Sequence, residues 1–220
     1  MITDQIAAVR QELLQRPAGL VRHVERVLDE AIPLAALWGA DKERVELSVW
    51  GHDLFRAKSP TEQLRLAKEV GVEIDEDAKA YPILLHGPIA ATVLRERFRL
   101  TDEEALMAVR DHTSGLDQMS LLAKILLIAD KIEKRKRQGA PELADVRQLA
   151  RRDLDTAILC WSDWRWATEA REGYRIQASH WRARQHWVEE HHAEIGMPPR
   201  ATGRAFAAAA RREGLAPSRE

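Results

Sequence analysis

The sequence predicts an all-α protein, and three observations carry that reading. Apolar residues recur every three to four positions through most of the chain, the spacing that lines one face of a helix. No window of useful length alternates apolar and polar residues in the two-residue rhythm of a half-buried strand. With 11 Gly and 9 Pro in 220 residues, 45% apolar and 31% charged, the composition is that of a helix-rich globular chain rather than a disordered or fibrous one. That length suffices for one well-filled core, expected over residues 1–160, with a helical, Trp-rich C-terminal extension over residues 161–220.

The first helix is expected over residues 2–15, stopped near Pro17. Leu20, Val24, Val27, Leu28 and Ala31 mark the buried stripe of a second, which Gly39 ends. Asp41 caps a third helix running to about Phe55, and Ser59 and Pro60 followed by Glu62 are the cap signature of a short fourth. Residues 72–81 read as a loop with helical fragments. A helix follows over residues 88–98, and a capping box of Thr101 with Glu104 starts the next, which runs toward His112. Residues 120–133 are the most apolar helix, with almost no polar face, and are expected at the centre. Lys134, Arg135, Lys136 and Arg137, ahead of Gly139 and Pro141, read as a helix end and connector. One long helical stretch is expected over residues 143–170. Trp161, Trp164, Trp166, Trp181 and Trp187 then gather five of the seven tryptophans, and the polar, Ala-rich last segment is expected to fray.

Charge and cysteine usage exclude several classes. Lys plus Arg total 34 against 35 for Asp plus Glu, so no global basic field argues for nucleic acid, and anion binding must come from local clusters. Cys160 stands alone, which rules out an internal disulfide and a paired-cysteine zinc site. The start of the chain lacks the charge and apolar pattern of a signal peptide, and no segment approaches the roughly 20 apolar residues of a membrane span. A cytoplasmic protein with no membrane partner is expected.

Polar side chains sit where helical spacing points them inward. His23 lies one turn from Leu20 and Val27, and His86 and His112 stand at the edges of apolar helical runs. Each is also compatible with a buried, hydrogen-bonded core histidine. Asp130 falls on the Leu122 and Leu126 face of the most apolar helix, where an ionised carboxylate needs a metal, a cation or a helix N-terminus. A buried salt bridge is the plain alternative. His52 and Asp53 are adjacent, and neighbours on a helix diverge by about 100 degrees, so both serve one ion only at a terminal turn, or if the aspartate reaches a second ion. Four imidazoles and two carboxylates form a ligand set suited to iron, manganese or zinc. His180, His186, His191 and His192 include helical spacings that mimic a metal site but lack an acidic partner on a core face.

The order of these six residues resembles the HD-domain metal-dependent phosphohydrolases. The strings LVRHVERV, WGHDLFRAKSPTEQLRLAKEVGVEID, LLHGPIAA, VRDHTSG, MSLLAKILLIADKIE and ELADVRQLARRDLDTAIL are similar to the bacterial branch that cuts diadenosine tetraphosphate symmetrically into two ADP. The resemblance covers about residues 18–160. It implies an HD-domain helical bundle and two divalent ions, iron first, with manganese or zinc as alternatives. It implies that His23, His52, Asp53 and Asp130 hold one ion, while Asp53, His86 and His112 hold the other, with Asp53 bridging. Two ions sharing a carboxylate activate a hydroxide for attack on a phosphoanhydride. Asp53, His112 and Arg56 are the residues assigned to catalysis. Arg56, Lys134, Arg135, Lys136 and Arg137 are assigned to the phosphates, the basic run being equally readable as a solvated helix end.

The chain departs from the branch at Leu116, where an arginine is usual, at Lys131, where a tyrosine is usual, and at Lys134, where a proline is usual. These positions bear on substrate rather than metal. The partner expected is therefore a small nucleotide, with another nucleotide as the alternative. A metal-stabilised helical interaction module is the rival from a different class. The Trp-rich extension is a candidate cover, base-stacking surface or oligomer interface, and a homodimer is the assembly considered.

Overall fold

A computed structural model of the chain describes residues 1–113, 115, 118–173, 183 and 184. Among these residues every regular element is helical, as the periodicity predicts. The chain divides into two compact units: Met1–Gly115 with Met119–Glu133 form the first, and the second takes up the chain from Lys134. Residues 174–182 and 185–220 lie outside the described residues, with Trp181, Trp187, His180, His186, His191, His192 and the tail. Leu116 does too.

The first unit contains α1 (Ile2–Leu14), α2 (Ala18–Trp38), α3 (Lys42–His52), α4 (Pro60–Glu69), α5 (Glu76–Ala80), a 3-10 turn at Pro82–Leu85, α6 (His86–Glu96), α7 (Glu103–Asp111) and α8 (Leu121–Ile132). Local chemistry sets most starts. Asp41 accepts from the backbone N–H groups of Glu43 and Arg44 to begin α3, and Ser59 and Glu62 form a reciprocal capping box at α4. Gly39, at φ +73, ends α2 in the left-handed region that favours glycine.

The Thr101 and Glu104 capping box does not form. Asp102 is the N-cap of α7 instead, its carboxylate accepting from the Ala105 N–H at 3.1 Å. Asp102 also takes both prongs of Arg44, at 2.5 and 2.7 Å, and Glu104 turns to the same guanidinium at 2.7 Å. A cation on α3 thus outcompeted the local box. The helix expected from residue 88 begins at His86, so Pro88 sits inside its first turn, where a missing N–H costs nothing.

The apolar α8 packs on α2, α7 and α3. The middle of the unit belongs to α3, which touches α1, α2, α6, α7 and α8. Its second half, Val45 and then every residue from Leu47 to His52, is buried. A satellite cluster of Ala67, Ala78, Leu85 and Ile89 anchors α4, α5 and the 3-10 turn beside α6.

The second unit holds α9 (Lys134–Gly139), α10 (Leu143–Ala150) and α11 (Leu154–Glu172). Two expectations are corrected here. The basic run is not only a connector but forms α9, because the extended backbone at Glu133 (ψ 155) ends α8 and the chain re-enters a helix at once. The stretch over residues 143–170 is two helices, since Asp153 caps α11 by accepting from the Thr156 N–H at 2.9 Å. The expected boundary at residue 160 falls within α11, at the buried Cys160. Trp161 is buried, while Trp164 and Trp166 are partly exposed.

Candidate metal centre

The residues His23, His52, Asp53, His86, His112 and Asp130 converge within the first unit. They come from the second turn of α2, the end of α3, the start of α6, the residue after α7 and the last turn of α8. His52, Asp53, His86, His112 and Asp130 are buried, and His23 is the partly open member.

Asp53 organises the group. Its Oδ1 lies 3.1 Å from His86 Nε2 and 3.5 Å from His112 Nε2. Its Oδ2 lies 3.4 Å from His23 Nε2 and 3.6 Å from His52 Nε2. His23 Nε2 is in turn 3.1 Å from Asp130 Oδ1. One carboxylate therefore faces two separate sets of donors, one through each oxygen. Asp53 does this from the C-cap of α3, outside helical geometry at φ −108 and ψ 15, which resolves the divergence expected of neighbours on a helix.

Three of the four histidines are held in one tautomer. Nδ1 of His52 donates to Val49 O at 2.7 Å and Nδ1 of His112 to Val109 O at 2.7 Å, while His86 Nδ1 donates to Ile83 O. In each case the acceptor is the carbonyl three residues earlier, so the proton sits on Nδ1 and Nε2 carries a bare lone pair. His86 Nε2 and His112 Nε2 then face each other at 3.0 Å, two lone pairs in a contact that only a shared cation makes favourable. His52 Nε2 and both Asp53 oxygens are buried without a hydrogen bond, a cost the fold bears only where something else satisfies them. Ligand atoms of His23, His52 and Asp130 lie within 4.8 Å of one another, as do those of His52, Asp53 and His112. The donor set fits divalent metal.

Electrostatics agree. Burial pushes His52 down to about 3, so it stays neutral and able to ligate. Burial likewise lowers His112, with Lys131 adding to the effect. Burial works against ionised Asp53, yet His52 and the imidazoles of His112, His23 and His86 hold its carboxyl well below the usual range. For His23, burial is outweighed by Asp130 and Asp53, and its imidazole is raised.

Arg56 lies at the rim, Nε 3.6 Å from Asp53 Oδ2, with its side chain 44% exposed. Lys134, Arg135, Lys136 and Arg137 lie on α9 in the second unit.

Sequence reasoning missed Glu133 and Gly87, and it named Lys131 only as a departure bearing on substrate. Glu133, 1% exposed, faces His23 Nδ1 at 3.6 Å and is gripped by Arg26 Nε at 2.5 Å. Its position three residues after Asp130 was the available signal. Lys131 donates to Asp130 Oδ2 at 2.7 Å from a side chain only 12% exposed. Gly87 lets α6 pass the end of α7, since a Cβ there would lie 2.6 Å from Arg110 O and 3.0 Å from Val109 O.

The HD domain family matches residues 20–135, a span holding all six residues. The chain belongs to the HD domain family. Three curated relatives are similar to it, each named a symmetrical bis(5'-nucleosyl)-tetraphosphatase. That of Halalkalibacterium halodurans is 37% identical over 139 residues, 63% of this chain and 72% of the relative. That of Bacillus subtilis is 32% identical over 158 residues, 71% and 81% respectively. That of Staphylococcus aureus is 32% identical over 135 residues, 61% and 68%. A solved predicted HD superfamily hydrolase involved in NAD metabolism, from Clostridium acetobutylicum, shares the fold at a TM-score of 0.78 and 24% identity. The likeness covers 84% of this chain and 97% of that one. As an HD-domain phosphohydrolase this protein is a divalent-metal-dependent enzyme. Among the described residues no helix is long and apolar enough to cross a membrane.

Proposed function

We propose that this HD domain holds two divalent ions bridged by Asp53 and hydrolyses diadenosine tetraphosphate symmetrically to two ADP. The observation that carries the two-ion reading is the division of Asp53, with Oδ1 toward His86 and His112 and Oδ2 toward His23 and His52. Asp130 completes the second set through its approach to His23. Iron is the first choice, with manganese or zinc next, on the softness of an imidazole and carboxylate set. Bound there, the ions activate water for attack on phosphorus and neutralise charge on the phosphates. The substrate reading rests on the three relatives that carry that name.

The protein's own groups do the rest. The Nδ1–H to carbonyl bonds fix the imidazole planes so that no reorientation is needed at the reacting centre. Asp53 stays anionic at neutral pH and keeps the two donor sets at one spacing. Arg56, half in solvent beside Asp53, is placed to donate to phosphate oxygens as they arrive. Lys134, Arg135, Lys136 and Arg137 are candidates for the remaining phosphates.

The test is a panel of nucleotides offered to protein loaded anaerobically with iron or manganese, with products separated. Diadenosine tetraphosphate should give ADP alone. Turnover of another nucleotide with no ADP from the tetraphosphate would assign the site to that substrate instead.

A further inference from the structure

Thr113 follows the ligand candidate His112, just past the end of α7, and is partly exposed. A threonine on or beside a helix commonly gives its hydroxyl to the carbonyl four residues earlier. Thr92 does so to Pro88 O at 3.1 Å, and Thr168 to Trp164 O at 2.9 Å. For Thr113 that carbonyl is Val109 O, which takes the Nδ1 proton of His112 at 2.7 Å. The Thr113 hydroxyl turns to the metal centre instead and donates to His112 Nε2 at 3.4 Å, a long and weak bond. Nε2 carries the lone pair that His112 offers to an ion. With that pair committed to metal it accepts no hydrogen bond, and the hydroxyl is left beside the ligating atom with its proton to donate elsewhere.

We propose that Thr113 is a substrate contact, its hydroxyl donating to a phosphoryl oxygen held at the His86 and His112 side of the centre. The assignment rests on the two-ion phosphohydrolase reading and adds a substrate-binding residue to it. An anionic oxygen makes a shorter and stronger bond with a hydroxyl than a neutral acceptor does. Branching at Cβ restricts the rotamers of Thr113, so little side-chain freedom is lost when the bond forms. Arg56 approaches Oδ2 of Asp53 at 3.6 Å, whereas Thr113 sits on His112, whose Nε2 is 3.5 Å from Oδ1. Each oxygen of the bridging carboxylate thus has a phosphate donor on its own side, a cation at one and a neutral hydroxyl at the other.

The experiment titrates inorganic phosphate into the manganese-loaded full chain by calorimetry, with metal content measured on the same samples. Thr113→Val removes the hydroxyl at nearly constant shape. It should keep the wild-type metal content and bind phosphate roughly tenfold more weakly, and Thr113→Ala should match it. Thr113→Ser restores a hydroxyl and should recover most of the affinity. Equal affinity in the wild type and Thr113→Val would overturn the proposal, as would a Thr113→Ser protein that binds no better than Thr113→Val. A fall in metal content that accounts for the loss also overturns it, because Thr113 would then act through His112 alone. So does a metal-loaded wild type that binds no phosphate. Thr113-dependent phosphate binding without cleavage of diadenosine tetraphosphate would leave this contact standing and remove only the substrate assignment.

Discussion

Asp53 shows how one side chain acquires two roles. Its carboxylate is buried, lacks a hydrogen bond and is ringed by four imidazole nitrogens, an arrangement whose cost metal binding would offset. Asp53→Asn keeps the shape and removes the charge, so metal content should fall below two per chain and turnover by at least about a hundredfold. Elemental analysis beside steady-state kinetics checks both. Glu133 faces His23 Nδ1 one step out from the ligand candidates, and a positioning role for it is testable. Glu133→Gln should weaken metal binding by about ten- to a hundredfold, read from competition with a chelator, and unchanged affinity would make Glu133 only the partner of Arg26. The six ligand candidates were legible in the sequence because each broke an apolar helical pattern. Glu133 was not, and Lys131 was read only as a departure bearing on substrate, because charged residues after an apolar helix look like a solvated end until tertiary packing buries them.

At the scale of elements, close approaches and caps set the geometry. The glycine of the LLHG string allows α6 to meet the end of α7, where the Val109 carbonyl also orients His112. Gly87→Ala forces a methyl against backbone, and should cost about 1–3 kcal/mol of stability and lower activity with it. Urea unfolding and a turnover assay measure the two effects, and a stable but inactive variant would place the damage at His112. Asp102 links α7 to α3 through Arg44. Asp102→Ala should cost about 1–2 kcal/mol, the cap supplying most of it. The Arg44 guanidinium holds the Asp102 carboxyl below its ordinary value. A depressed carboxylate stabilises above its unfolded pKa and loses that contribution as pH falls through the folded one. The stability gap between wild type and Asp102→Ala should therefore be full at pH 7 and shrink below about pH 4. A gap that did not narrow in acid would show that the cap works through shape alone. Thr101 misled the sequence reading because capping signatures are local, whereas Arg44 arrives from another helix.

For the whole molecule, the candidate metal centre ties together helices that are otherwise joined by apolar packing and by ion pairs such as Arg44 with Asp102. Its candidate ligands come from the bodies or ends of α2, α3, α6, α7 and α8, five of the eight α-helices described in the first unit. Chelation should lower the melting temperature, and at metal a thousandfold above Kd the lost stabilisation is about 4 kcal/mol. Calorimetry with and without chelator, followed by metal add-back, tests it. An unchanged melting temperature would mean that the helices are positioned without the ions.

The all-α class, most helix starts and the six candidate ligands followed from the sequence alone, because periodicity, caps and misplaced polar residues are local signals read within one or two turns. The division of Asp53 between two donor sets, the burial of Glu133 and the inward position of Lys131 were decided by tertiary structure. Each depends on contacts between residues far apart in the chain, or on a competition between local alternatives that neighbouring helices settle. The sequence thus determined which side chains were available for metal chemistry, and packing decided which oxygen faces which imidazole.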